Sequence, residues 1–109
     1  MLQILVAGFG EVARRGIGAI LCSPDFVVDE CALECVMSAV VDRAPDVVVI
    51  DAGCSDLPRA ARVASACPAV TVIACSASEE TIRIFPRFGG GECRSRPLSA
   101  DTLRASVRG

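Results

Sequence analysis

A chain of 109 residues that is 52 % apolar and carries a net charge of −2 is long enough for one hydrophobic core, and it has no apolar run that spans a bilayer. All eleven of its cations are arginines, and the absence of lysine and histidine excludes Schiff-base chemistry, the usual general base and a phosphohistidine relay. Met1-Leu2-Gln3 enters a strand without a basic leader, so a cytoplasmic protein with no membrane contact is expected.

The first strand runs over Gln3 to Ala7 and ends in Gly8-Phe9-Gly10. A helix over about Glu11 to Leu21 follows, with Val12, Ala13, Gly16, Ile17 and Ile20 spaced as a buried stripe. Pro24-Asp25 turns the chain into a second strand, Phe26-Val27-Val28, and a second helix is predicted over about Glu34 to Arg43. Pro45 forces the preceding residue out of that helix. Pro45 to Asp51 then reads as the central strand, because four consecutive β-branched residues suit a strand buried on both faces. Asp51 stands at its carboxyl end, the edge at which open α/β sheets bind ligands.

Asp56 can cap the third helix, and Pro58 is tolerated in its first turn. Val70 to Cys75, closed by Ser76, is the fourth strand. A short helix is expected from near Ser78, with Glu79 and Glu80 at its positive end, to Pro86. Glu92 to Ser95 forms a weak fifth strand, and Ser99 caps a last helix with Leu103 and Val107 on one face. Strands alternating with helices across short connections describe a doubly wound, three-layer α/β sandwich in one domain, residues 1–109.

Seven cysteines without a Cys-x-x-Cys pair give no usual zinc ligand set, so no metal and no cofactor is expected; Cys54 and Cys93, near strand ends, are the expected accessible thiols. The charge is asymmetric. Five arginines accompany eleven acids before residue 81, against six arginines and two acids from there on. The basic end is short and poor in aromatics, so a solvated or partner-facing surface is expected there in preference to a nucleic-acid site.

Two motifs compete for the function. Gly8-Phe9-Gly10-Glu11-Val12-Ala13 fits G-x-G-x-x-A between a strand and a helix, with Asp29 or Glu30 where a dinucleotide fold keeps its ribose acid. Glycines of this kind admit a pyrophosphate to backbone N–H groups at a helix N-terminus.

The second constellation is longer. Ile4-Leu5-Val6-Ala7, Pro45 to Asp51, Val72 to Ser76 and Arg96-Pro97-Leu98 together resemble the receiver domain of two-component response regulators, of the NarL/LuxR type. The resemblance covers Leu2 to Leu103 and implies a flavodoxin-like fold with a five-stranded parallel sheet of order 2-1-3-4-5. It implies that Asp51 is the phosphoacceptor position of a phosphorelay, that Ser76 bonds the phosphoryl group and that Arg96 contacts it with positive charge. The family's two metal-holding acids correspond to Gly8 and Phe9, leaving Mg²⁺ too little anionic oxygen; Glu11 and Asp56 are better explained as helix-start acids. Lysine becomes Arg96, and the switch aromatic becomes Cys93.

The expectation is therefore a degenerate receiver, a phosphorylation-independent regulatory and dimerisation domain of a transcription regulator and not an enzyme. The resemblance further implies DNA contact only through a C-terminal domain beyond Gly109. An orthodox phosphoacceptor using Asp51 and a small dinucleotide-sensing domain remain as alternatives. A residual salt bridge between Asp51 and Arg96 is expected, as is a homodimer contact through Ile82, Phe85 and Leu103.

Overall fold

A computed structural model of the chain describes residues 2–51, 57–76, 80–89 and 93–108. Asp56, Cys54, Ser78, Glu79 and Glu92, to which the sequence assigned roles, lie outside the described residues. The elements are β1 (Leu2–Ala7), α1 (Glu11–Ile20), β2 (Phe26–Cys31), α2 (Val36–Arg43), β3 (Val47–Asp51), α3 (Leu57–Ala66), β4 (Thr71–Ser76), β5 (Thr81–Phe85), β6 (Arg94–Pro97) and α4 (Ala100–Arg108). They form one six-stranded sheet in the order β2-β1-β3-β4-β5-β6.

The central strand follows from its β-branched run. Val47, Val48, Val49 and Ile50 are fully buried, with alternate residues feeding two separate cores. Val47 and Val49 meet Ile17 and Leu21 from the α1 side and Leu103 and Val107 of α4. Val48 and Ile50 meet Val36 and Val40 of α2 and Ala60 and Val63 of α3. Helices thus cover both faces, as the sequence predicts for a doubly wound sheet. Asp46 sets the register at the strand's start. Its backbone N–H donates to the Gln3 carbonyl at 2.8 Å and its carbonyl accepts from Thr71 N–H at 3.1 Å. Its side-chain Oδ2 accepts from Gln3 N–H at 2.9 Å.

The sheet departs from the predicted five-stranded parallel one. Strands β2, β1, β3 and β4 are parallel, but β5 pairs antiparallel with β4, and β6 antiparallel with β5. The segment expected to be a helix ending at Pro86 is a strand instead. In Thr81-Ile82-Arg83-Ile84-Phe85 the residues Ile82 and Ile84 turn into one core while Arg83 turns away, a period of two that a helix cannot satisfy. Only four residues separate Ser76 from Thr81, too few for a parallel crossover.

Two further expectations are corrected. The predicted stripe of α1 is not its buried face: Ile17 is buried, Ile20 partly so, and Val12 is 85 % exposed. Ala13 and Gly16 offer almost no side chain to bury, so α1 meets the sheet through its C-terminal half. Ile82, Phe85 and Leu103 are 0 %, 4 % and 0 % exposed and belong to the cores. Their apolar area is consumed by the sheet and by α4, and none of the three offers a surface for a dimer contact.

The last helix forms as its cap requires. Ser99 Oγ accepts from Thr102 N–H at 3.1 Å, and Leu103 N–H donates to the Ser99 carbonyl at 3.0 Å.

Candidate functional site

Asp51 ends β3 at the carboxyl edge of the sheet and is partly buried. Its register partner is Cys75 of β4, whose partner is Ile82 of β5, whose partner in turn is Arg96 of β6. These four residues form one row on the face covered by α1 and α4. At about 4.8 Å per strand, roughly 14 Å of sheet separates the Asp51 and Arg96 Cα positions. The expected salt bridge between them does not form: no Asp51–Arg96 pair is among the ion pairs of the described residues, and Cys75 and Ile82 lie buried between the two positions.

Burial pushes the Cys75 thiol up to about 11, and the neighbouring Asp51 carboxylate adds to the effect by disfavouring a second negative charge. Cys75 is therefore a neutral core residue at physiological pH. The exposed thiols of the described residues are Cys22, Cys35 and Cys93, so the expectation for Cys93 holds, and that for Cys54 falls outside the described residues. Cys31, partly buried at the end of β2, is also pushed up by desolvation, partly offset by Arg43.

Ser76 is 5 % exposed and one residue beyond Cys75, so the pleat turns it toward the face opposite Asp51. It pairs with Thr81, which pairs with Pro97. Asp51 and Ser76 are thus neighbours at one sheet edge, whereas Arg96 is held away by the inserted β5. The position of Arg96 follows from β5, the antiparallel strand that stands where the sequence predicts a helix.

The position of a metal-holding acid at Gly8 is closed to side chains. Gly8 has φ +84°, and a Cβ there would lie 3.2 Å from both Cβ and Cδ1 of Leu33. A left-handed backbone and a packed leucine together demand glycine. Phe9 packs against the α1 and α4 core. Glu11, the possible stand-in, is bound to Arg15 at 2.9 Å on the helix surface. Among the described residues no group of three His, Cys, Asp or Glu side chains is placed to hold a metal.

A separate crevice of about 530 Å³ opens where β1 and β2 end, lined in part by Gly8, Phe9, Glu30 and Leu33. Glu30 lies 3.4 Å from Arg14 Nε there, while Asp29 lies 3.9 Å from Arg43. A Cβ at Gly10 would meet nothing within 4 Å, so this glycine is not required by packing. Ala13, the last position of the glycine motif, is exposed on α1 and does not bring the helix against the sheet.

No helix among the described residues is long and apolar enough to cross a membrane. No protein-family model, curated protein or solved structure matches the chain.

Proposed function

We propose that the chain is a phosphorylation-independent regulatory domain of receiver-like architecture, an interaction module and not an enzyme. The observation that carries this reading is the row Asp51, Cys75, Ile82, Arg96: the acid and the cation that a phosphoryl pocket needs side by side are three strands apart. The closed position at Gly8 supports it, since the ion that would bridge donor and acceptor lacks its acids. In this reading a transcription regulator carries the domain, DNA contact belongs to a further domain, and any self-association uses residues other than Ile82, Phe85 and Leu103. The test is a nuclear magnetic resonance titration with beryllofluoride and Mg²⁺, a phosphoryl mimic. Unchanged amide resonances at Asp51, Ser76 and Arg96 are expected. Saturable shifts at all three would restore the orthodox phosphoacceptor.

A second reading, dinucleotide binding, is favoured by one observation: Gly8 and Glu30 line the same crevice, beside an unobstructed Gly10. Calorimetry with NAD(H) and NADP(H) tests it. Micromolar binding lost in Gly10→Val would make it the better account.

A further inference from the structure

The hairpin β5–β6 extends the sheet beyond the last helix on the α1 and α4 face. Arg94 and Arg96, paired with Ile84 and Ile82, project on that face. Between the hairpin and α4 lies a groove of about 880 Å³. Its floor includes Leu2, Val47, Ile84 and Val107, and four arginines reach it: Arg87 from the loop after β5, Arg94 and Arg96 from β6, and Arg108 from the end of α4. Asp101 is, among the described residues, the one acid lining this groove, and it lies 3.6 Å from Arg104. Among the described residues, Arg87, Arg94 and Arg96 enter no ion pair with one another's neighbours.

Edge protection accounts for part of this pattern. Charged side chains on an edge strand discourage a second chain from pairing with it, and Arg94 and Arg96 serve that end wherever they point. It does not account for Arg87, which reaches the groove from the loop after β5; Arg108, at the end of α4, borders the groove with its guanidinium over the Phe26 ring, 5.2 Å from the centroid. The like charges of Arg87, Arg94 and Arg96 around one concavity raise one another's energy, and an anion relieves that.

We infer that the groove between α4 and the β5–β6 hairpin binds a small organic phosphate, an anionic phosphoryl group attached to an apolar or planar body of nucleotide size. Guanidinium groups match phosphate oxygens two at a time, and two of the groove's hydroxyls, on Ser106 and Thr102, already make hydrogen bonds within the last helix and its cap. Ser106 Oγ donates to the Thr102 carbonyl at 2.8 Å, and Thr102 Oγ1 lies 2.7 Å from Ser99 Oγ. Anion recognition therefore falls to the arginines. The apolar floor favours a phosphate ester over the bare ion, and the volume is in the range of small-molecule sites. The site is independent of Asp51 and of the Gly8 crevice.

Calorimetry on the full chain with AMP, ADP and inorganic phosphate, at low and physiological salt, tests the inference. The variant is Arg94→Gln/Arg96→Gln, two exposed edge positions whose replacement should leave thermal unfolding unchanged. Arg59→Gln/Arg62→Gln on α3 controls for net charge, and Gly10→Val for the crevice. Saturable binding of AMP and ADP, tighter than that of inorganic phosphate, is expected, weakened at least tenfold in the groove variant and unaltered in both controls. The inference is overturned by no saturable binding at millimolar ligand, by binding that survives in the groove variant, or by loss in Gly10→Val. Binding of a single-stranded oligonucleotide but of none of the three small ligands would also overturn it, in favour of a nucleic-acid surface.

Discussion

Asp51 and Arg96 share one row of the sheet but are separated by two buried residues, Cys75 and Ile82, and by the full width of β4 and β5. With roughly 14 Å between their Cα positions and no ion pair between them, the two charges are screened from each other by salt. Their effects on stability should therefore be independent. In a double-mutant cycle, Asp51→Asn and Arg96→Gln are expected to add to within about 0.5 kcal/mol by denaturant unfolding. A coupling above about 1 kcal/mol would place the two groups in contact.

Gly8 gives a second prediction. Its left-handed backbone and the 3.2 Å approach of Leu33 make Gly8→Ala costly, on the order of 1–3 kcal/mol. Placing an acid there with Gly8→Asp should destabilise the chain by at least as much and create no Mg²⁺-dependent gain in stability. If Leu33 contributes as described, Leu33→Ala recovers part of the loss caused by Gly8→Ala, leaving the backbone strain.

Much of this arrangement was legible in the sequence. The run Val47–Ile50 permits little but a buried strand, and Ser99 with Thr102 announces the last helix. The order β2-β1-β3-β4 was legible only through the resemblance, because short right-handed connections suit a Rossmann half equally well. Thr81–Phe85 was ambiguous because Ile82 and Phe85 also suit a helical spacing of three, and Glu79 and Glu80 suit a helix start. The alternation of Ile82, Arg83 and Ile84 was the better signal, and the four-residue connection from Ser76 then dictates an antiparallel strand. The distance of Arg96 from Asp51 depends on that one element. The exposure of Val12 was not legible, because a helix of small residues carries too weak an apolar stripe to fix its rotation.

The thiol of Cys75 supplies a pH dependence. Its folded value of about 11 lies above the ordinary thiol value of 9.0, so the folded state retains a proton that the unfolded chain gives up between those values. Stability from this group is intact below pH 9 and declines as pH rises toward 11. Alkaline denaturation of Cys75→Ala should show a shallower loss across that window, although the variant starts from a lower stability. In native protein, an exposed-thiol reagent should modify Cys22, Cys35 and Cys93 and spare Cys75.

Ala44 ends α2 in a left-handed conformation, φ 45° and ψ 56°, with its N–H donating to the Val40 carbonyl at 2.9 Å. A residue with a Cβ pays about 1 kcal/mol for that backbone, whereas glycine adopts it freely. Ala44→Gly is expected to be neutral to stabilising by up to about 1 kcal/mol, in contrast to most alanine-to-glycine changes at helix ends. A loss of more than about 0.5 kcal/mol in thermal or denaturant unfolding would contradict the strain assigned here.

The central proposal is that Asp51 is not a phosphoacceptor, and the most direct measurement is intact mass after incubation with acetyl phosphate and Mg²⁺. The account predicts an unmodified chain in wild type and in Asp51→Asn alike. A stoichiometric phosphate adduct that requires Mg²⁺ and disappears in Asp51→Asn would contradict it.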